Sequence, residues 1–218
     1  MNCVRCVIIM KKYETEQENF WAGEFGNEYI KRNNSQAILA TKIKCFSRML
    51  KSVTGGDINN CLELGANVGL NLQALKCLIP TISGTAVEIN STAASECEKI
   101  SNFKVINDSI FDFSDNEKYD LTFTSGVLIH INPDKLDNVY QKLYEYSNKY
   151  ILMSEYYNPT PVTINYRNNS EKLFKRDFAG EFMSLYDDVE LLDYGFIYHG
   201  DRFCPADDAT WFLMRKRK

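Results

Sequence analysis

Residues 61–69 place an acid and two glycines where a short apolar strand turns into a helix. They read Cys-Leu-Glu-Leu-Gly-Ala-Asn-Val-Gly. A backbone that turns sharply and also touches a ligand cannot carry a side chain at the contact, so Gly65 and Gly69 are candidate ligand contacts. A dinucleotide fingerprint GxGxxG starting at Gly65 would need glycine at 67 and glycine or alanine at 70, but Asn67 and Leu70 stand there. The segment therefore predicts a cofactor site that lacks the nicotinamide spacing.

A second acid ends the next predicted strand. Residues 82–89 are mostly apolar and finish with Glu88 and Ile89, and Glu88 lies 19 residues (88 − 69) after Gly69. In Rossmann-like sites an acid about twenty residues after the glycine turn accepts hydrogen bonds from the ribose hydroxyls. NAD and S-adenosylmethionine (SAM) both carry an adenosine ribose, so Glu88 supports both cofactors equally.

The third and fourth predicted strands end in further polar candidates. Residues 104–109 finish with Asp108 and Ser109, where Rossmann-like sites that bind an adenosine cofactor place the adenine ring. The Asp108 carboxylate would accept from the exocyclic amino group, and the Ser109 amide would serve a ring nitrogen. Residues 119–130 run through Thr124 and Gly126 toward a helix that begins near His130.

These segments, in this order, resemble the four cofactor motifs of the class I SAM-dependent methyltransferases. In the first motif, E-x-G-x-N-x-G here, the acid after the strand serves the methionine portion of the cofactor, usually through its ammonium. The resemblance implies SAM as the cofactor, with a nicotinamide oxidoreductase as a distant alternative. The cofactor-binding residues that it implies are Glu63, Gly65, Asn67, Gly69, Glu88, Ile89, Asp108, Ser109, Thr124 and Gly126.

Strands and helices that alternate from Ile58 onward must position these residues. Such alternation predicts a parallel sheet with right-handed crossovers. The expected fold class is α/β: a Rossmann-like, mostly parallel seven-stranded sheet with helices on both faces and a C-terminal antiparallel hairpin from 189–198 and 210–214. We expect residues 1–55 to form an N-terminal helical segment and cofactor lid, and residues 56–218 to form the methyltransferase domain.

Two further segments carry specific predictions. Residues 35–53 predict a helix that Gly55-Gly56 ends, with one apolar stripe formed by Leu39, Ile43, Phe46, Leu50 and Val53. Residues 156–169 read as a long connector rich in Asn and Pro. Residues 171–185 then predict another helix, with one apolar face formed by Phe174, Phe178, Phe182 and Leu185.

Length and composition are typical of one soluble globular domain. The chain has 218 residues, of which 44% are hydrophobic and 25% charged, and its net charge of −4 makes nucleic acid a poor substrate. Seven cysteines, an odd number without paired spacing, predict reduced thiols in the cytoplasm. Cys3 and Cys6 form the only close pair, and neither histidine completes a zinc site with them, so no metal is predicted. The apolar run 7–10 is too short for a membrane span, and Met10 is an alternative start.

Four stretches outside the cofactor motifs carry a closer resemblance. They are TEQENFWAGEFGNEYIKRN at 15–33, EYYNPTP at 155–161, LFKRDFAG at 173–180 and DDATWFL at 207–213. Together they resemble the family of pseudaminic acid biosynthesis-associated methylases, from about residue 15 to the C-terminus. The resemblance implies a small sugar-acid acceptor, such as pseudaminic acid or its CMP-activated form, in bacterial surface-glycan biosynthesis. The substrate-binding residues expected on this basis are Tyr156, Tyr157, Arg167, Lys172, Arg176 and His199. The alternative for the three basic residues is a solvated helix face, and for the other three it is the capping of loops.

Residues before the predicted sheet, and one after its fourth strand, bear on catalysis. Trp21 and Tyr29 would shield the sulfonium from water, and Arg32 would clamp the methionine carboxylate; the alternative is an amphipathic helix that packs its aromatic residues onto the sheet. His130 is the candidate general base, and its alternative role is a helix-start histidine bonded to a backbone carbonyl.

Three descriptions of function remain open at this stage. The chain is a methyltransferase for a sugar acid, a methyltransferase for an unrelated small-molecule or protein acceptor, or a non-catalytic SAM-binding subunit of a glycan assembly system. The sequence does not predict the methylated atom or the oligomeric state.

Overall fold

A computed structural model describes residues 13–32, 35–53, 56–167, 169–203 and 205–217. Its α-helices are α1 Glu16–Ala22, α2 Glu24–Arg32, α3 Gln36–Met49, α4 Leu70–Leu78, α5 Ser91–Cys97, α6 Leu136–Tyr146 and α7 Phe178–Leu185. Short 3-10 helices span Leu128–His130 and Pro133–Lys135. Its strands are β1 Asn60–Leu64, β2 Ser83–Val87, β3 Phe103–Ile106, β4 Tyr119–Ser125, β5 Ser147–Glu155, β6 Val162–Tyr166, β7 Asn169–Lys175, β8 Val189–Ile197 and β9 Ala209–Lys216.

The main sheet has seven strands in the order β3-β2-β1-β4-β5-β9-β8. Strands β1 to β5 run parallel, whereas β9 is antiparallel to both β5 and β8. The predicted α/β class, with a mostly parallel seven-stranded sheet and a C-terminal antiparallel hairpin, is confirmed. The sheet order reverses between β1 and β4, the switch point outside which α/β proteins bind ligands.

Alternating strand residues feed two cores, one on each face of the sheet. Cys61 and Leu152 pack with α3 and α4 residues such as Phe46, whereas Leu62 and Ile151 pack in the cluster that contains α6 and α7. Because successive side chains of a strand point to opposite faces, this division places helices on both sides of the sheet.

The prediction of a helix over 171–185 is only half right. Residues 171–175 belong to β7, which pairs with β6 in a separate two-stranded sheet, so 156–169 is not a plain connector either. Helix α7 begins at Phe178, where the Asp177 side chain accepts from the Gly180 amide as an N-cap. Phe174, Phe178 and Phe182 are buried as expected, but Leu185 is 53% exposed.

Several earlier predictions fall outside the described residues or stay untested. Cys3, Cys6, Met10 and Gly55 lie outside the described ranges, and the division into 1–55 and 56–218 stays a prediction. Helix α3 ends at Met49, earlier than expected. Over the described ranges, no helix is long and apolar enough to cross a membrane, and no cluster of three or more metal-ligand side chains occurs.

Candidate active site

The turn after β1 bends through left-handed backbone conformations. Gly65, Asn67 and Gly69 have φ angles of 80°, 50° and 78°. A Cβ atom on Gly65 would lie 2.6 Å from Cγ2 of Val127, so both conformation and space exclude a side chain there. Gly65 and Asn67 line cavities above the sheet, whereas the described lining does not include Gly69, which precedes α4.

Glu88, which follows β2, accepts a hydrogen bond from the backbone of this turn. Its Oε2 accepts from the Asn67 amide at 2.7 Å, and its Oε1 accepts from the Asn90 amide at 2.7 Å. Glu88 is 8% exposed, and burial raises the pKa of its carboxyl while the backbone hydrogen bonds oppose the rise. One side chain thus holds both the glycine turn and the start of α5.

Two cavities lie over the carboxyl ends of β1, β2 and β4. The smaller has a volume of about 140 Å³, with walls from Glu88, Ile89, Ser109 and α1. The larger has a volume of about 630 Å³ and extends toward the C-terminal hairpin. Both cavities are lined by Tyr29, Gly65, Asn67, Ser125, Gly126 and His130. They therefore meet at the end of β4, beside Gly126 and His130.

The N-terminal helices contribute residues to the walls of both cavities, and their predicted role as a lid stays a prediction. Trp21 and Tyr29 both line the smaller cavity, with ring centroids 5.3 Å apart and edge to face. Arg32 lines the larger cavity, with its guanidinium 5.8 Å from the centre of the Phe25 ring. Desolvation raises the pKa of Tyr29 to about 12, so its hydroxyl keeps its proton at neutral pH.

In the loop after β3, Ser109 already donates hydrogen bonds to other groups of the protein. The Ser109 amide donates to Asp108 Oδ1 at 2.8 Å, and the Ser109 hydroxyl donates to Glu18 Oε1 at 2.5 Å. Ser109 lines the smaller cavity, whereas Asp108 is absent from the described lining of both cavities. The adenine contacts predicted for Asp108 and for the Ser109 amide therefore stay predictions.

Glu63 and Asn71 form a buried pair next to the larger cavity. Asn71 Nδ2 donates to Glu63 Oε1 at 2.6 Å, and this bond orients the amide so that Oδ1 is its free acceptor. Asn71 lines the larger cavity, and its buried Oδ1 has no hydrogen-bond partner among the described residues. Glu63 is fully buried and lies behind Asn71, outside the described cavity linings, and Thr124 is also fully buried in β4. Desolvation raises the pKa of Glu63 to about 8.

The raised pKa of Glu63 predicts a pH-dependent stability. The folded protein holds a proton at Glu63 up to about pH 8, whereas the unfolded chain loses it near the ordinary value of 4.5. Because the native state binds more protons, the free energy of unfolding falls as pH rises between these values. Glu63→Gln should flatten this fall, measured by urea unfolding at about pH 5.5, 7 and 8.5. A variant with the same slope as the wild type would contradict a protonated Glu63.

His130 lies at the junction where the two cavities meet, and one of its ring nitrogens already makes a hydrogen bond. Its Nδ1 lies 2.6 Å from the Lys172 carbonyl oxygen, which only accepts, so Nδ1 carries the hydrogen and Nε2 carries the lone pair. The ring lies 4.6 Å from the Trp21 ring and 5.2 Å from the Tyr166 ring, measured between centroids. Burial lowers the pKa of His130 to about 4, so the imidazole is neutral at pH 7. The bond to a backbone carbonyl, which is the alternative role, is present, and the role of His130 as a general base stays a prediction.

The predicted acceptor-binding residues divide into two groups. Tyr156, Arg167 and His199 line the larger cavity. The other three lie outside the described cavity linings, for different reasons. Lys172 pairs with Glu16 at 2.9 Å, Arg176 pairs with Glu181 at 2.7 Å, and Tyr157 is 42% exposed on the surface.

Glu155, at the end of β5, is a site-forming residue that motif reading missed. Its Oε1 accepts from the Val127 amide at 3.2 Å, and its Oε2 lies 3.5 Å from the Ile129 amide. It therefore holds the loop that presents Gly126 and His130. Burial raises the pKa of Glu155 to about 7. The position of Glu155 in the sequence could have identified it, since it ends an apolar strand in the same way as Glu63 and Glu88.

Comparison with known proteins shows the fold. No model of a known protein family matches the chain, and neither does any curated protein compared with it. The structure is similar to coclaurine N-methyltransferase bound to N-methylheliamine and SAH (S-adenosylhomocysteine), with TM-score 0.71, 13% identity and coverage of 95% of this chain and 84% of that one. It also resembles the plantazolicin methyltransferase BpumL in complex with SAH (TM-score 0.65, 11% identity, 93% and 94% coverage).

A third similar structure is magnesium protoporphyrin IX methyltransferase from Synechocystis PCC 6803 with bound SAM. Its TM-score is 0.65 at 10% identity, with coverage of 94% of this chain and 99% of that one. Sequence identities this low show a shared fold. They do not show the acceptor, the activity or the closer family resemblance. The chain has the fold that these methyltransferases share.

Proposed function

We propose that the protein is a SAM-dependent methyltransferase. The observation that carries the proposal is the pair of cavities that meet at Gly126 and His130, over the carboxyl ends of β1, β2 and β4. This arrangement suits a two-substrate reaction, with the donor nucleoside in the smaller cavity and the acceptor in the larger one. SAM supplies a methyl group on a positively charged sulfur, so the protein needs to position the two partners in line and exclude water.

The residues present fit the polar groups of SAM. Asn71 Oδ1 is a buried acceptor without a described partner, and it would take the methionine ammonium while Glu63 orients the amide. Each Glu88 oxygen accepts one backbone amide and keeps capacity for a ribose hydroxyl. Arg32 would pair with the methionine carboxylate.

His130 would act on the acceptor rather than on the donor. Its Nε2 lone pair belongs to a side chain at the junction of the cavities, where the acceptor atom must approach the methyl group. If the acceptor is a hydroxyl, Nε2 accepts its proton as the oxygen attacks. The Nδ1 hydrogen bond to the Lys172 carbonyl fixes the tautomer that this role needs.

The charges of the larger cavity favour a small acidic acceptor. Lys42 and Arg167 line it in addition to Arg32, against one lining carboxylate among the described residues, Asp207. A sugar acid or its CMP-activated form carries anionic groups that Lys42 and Arg167 would bind. With the family resemblance, this favours pseudaminic acid or its CMP-linked form, made for a bacterial surface glycan.

The cofactor proposal is tested by titration calorimetry with SAM and SAH on the full chain. We expect both to bind in the micromolar range and to raise the melting temperature, whereas NAD should not protect the protein. Absence of binding by both ligands to a folded preparation would refute the proposal. Binding without methyl transfer to any pathway intermediate would instead favour the non-catalytic subunit.

Removing one cation should weaken acceptor binding selectively. In an assay with pseudaminic acid and CMP-pseudaminic acid, we expect Arg167→Gln to raise KM by about tenfold, the value of one charge-assisted contact. Its affinity for SAH should not change. Arg202→Gln is the matched control, because Arg202 is exposed and is not among the described lining residues. Equal KM values for the two variants would contradict an acceptor contact of Arg167. If the wild type methylates neither sugar acid, the acceptor is a different one, to be sought in a broad metabolite extract.

A glycine pair tests whether the junction is a ligand site. Gly126 and Gly56 have φ angles of 70° and 87°, and a Cβ at either would meet no atom within 4 Å. Both alanine variants therefore bear a similar backbone strain of about 1 kcal/mol. Gly126 lines both cavities, and we expect Gly126→Ala to weaken SAH binding by at least about tenfold, with Gly56→Ala unchanged. Equal affinities would contradict the assignment.

We also propose a cytoplasmic location. It rests on the odd number of cysteines in the sequence and on Cys61, Cys77 and Cys97, which form no disulfide within the described residues.

A further inference from the structure

Gln17, on α1, carries a buried acceptor in the wall of the smaller cavity. The side chain is 7% exposed and lines that cavity. Its Nε2 donates to the Glu171 carbonyl oxygen at 2.9 Å. Since a carbonyl oxygen only accepts, this bond fixes the orientation of the amide and leaves Oε1 as the remaining acceptor. Oε1 is buried, and no described residue hydrogen-bonds to it.

Trp21 adds a buried donor one helical turn later. Its Nε1 is also buried without a hydrogen-bond partner in the described part of the chain, and the residue lines the same cavity. Residues four apart on a helix are neighbours on its surface, so the acceptor of Gln17 and the donor of Trp21 belong to adjacent side chains. Buried polar groups are rarely left unpaired. An unpaired acceptor and an unpaired donor in one cavity wall therefore indicate a ligand that presents a donor and an acceptor along one edge.

The helix that carries this pair is held in place at several points. Glu18 forms a capping box with Thr15 and accepts the Ser109 hydroxyl, and Glu16 pairs with Lys172. The acceptor and the donor therefore belong to a fixed wall of the cavity. Ile110 and Phe111 line the same cavity and suit the flat, apolar faces of a base.

We infer that α1 reads the base of the cofactor, with Gln17 Oε1 accepting from the amino group of a 6-aminopurine and Trp21 Nε1 donating to the adjacent ring nitrogen. The inference rests on the proposed function, because it places the cofactor nucleoside in the smaller cavity. A 6-oxopurine reverses the pattern, with an acceptor oxygen at position 6 and a donor at the adjacent nitrogen. The site would then bind adenine nucleosides and reject inosine nucleosides.

The test compares two ligands by titration calorimetry on the full chain: SAH and S-inosylhomocysteine, in which an oxo group replaces the 6-amino group. Wild-type protein should prefer SAH by at least about tenfold, because each mismatched group stays unpaired in a buried site. Gln17→Met, which keeps the length of the side chain without its polar atoms, should reduce the preference to within about threefold. Gln141→Leu, on the exposed face of α6, is the control and should leave the preference unchanged.

Gln17→Glu separates loss of the acceptor from loss of folding. In this buried position a protonated carboxyl donates to the Glu171 carbonyl and leaves its own carbonyl oxygen for the ligand, so the preference for SAH should persist. If wild-type protein binds both ligands equally, or if folded Gln17→Met keeps the full preference, the inference is overturned while SAM binding stands. If wild-type protein binds neither ligand, the proposed function itself fails.

Discussion

Glu88→Ala is expected to weaken SAH binding by at least about 100-fold, because two ribose hydroxyls lose a charged acceptor worth about 1.5 kcal/mol or more each. The same substitution removes the acceptor of the Asn67 and Asn90 amides, which are bonded to opposite oxygens of this carboxylate. The glycine turn and the start of α5 then lose their common anchor. We therefore expect a lower melting temperature together with the loss of affinity measured by calorimetry.

Two variants separate ligand binding from folding at this position. Glu88→Gln keeps one acceptor oxygen and should lose less affinity than Glu88→Ala, with a smaller decrease in melting temperature. Glu98→Ala, at the exposed end of α5, removes a nearby carboxylate that lines neither cavity in the described structure and should bind SAH as the wild type does. A Glu88→Ala protein with SAH affinity within about threefold of the wild type would contradict ribose recognition by this residue.

His130→Ala is expected to lower kcat by about 100-fold or more with a hydroxyl acceptor, the usual range for a lost general base. Its affinity for SAH should stay within about fivefold, because the contribution of a base is to the transition state. His199→Ala is the control: it removes the only other histidine, which lines the larger cavity and bonds to Asp208. That variant should change KM rather than kcat.

The pH profile gives an independent test of His130. Burial lowers the pKa of this imidazole to about 4, so the neutral form that accepts a proton persists well below the ordinary value of 6.5. The wild-type rate should therefore not fall through an ionisation near pH 6.5, and any loss due to His130 should come only as pH approaches about 4. A rate that falls by half near pH 6.5 and a His130→Ala variant with normal kcat would each contradict the assignment.

Local patterns predicted the central part of the fold. Strand β1, helix α4 and strand β2 lie where the alternation and the glycine turn placed them, because each boundary is set by residues close in sequence. The helix predicted over 171–185 was wrong over 171–175, because the structure of those residues is set by residues that are not close in sequence. Its phenylalanines at spacings of four imitate a helix, but residues 171–175 pair with β6, and Glu171 has a φ of 55° that a regular helix excludes.

For the candidate site too, the sequence predicted some residues and missed others. Glu88 was predicted from its spacing after the glycine turn, and Gly126 and His130 from the resemblance of their strand to the fourth cofactor motif. All three follow parallel strands whose carboxyl ends lie at one edge of the sheet. Gln17 was not found, since only a hydrogen bond to Glu171, 154 residues away, orients its amide. Lys172 was placed at the acceptor site by its position in the chain, but its charge is paired with Glu16 on α1.

A crystal structure of the protein with SAH would show directly how the cofactor lies between the two cavities. We expect adenine in the smaller cavity, the ribose on Glu88, the amino group at Asn71 Oδ1 and the sulfur at the junction, facing the larger cavity beside Gly126 and His130. SAH bound elsewhere, or bound with its sulfur turned away from the larger cavity, would contradict a methyl transfer across this junction.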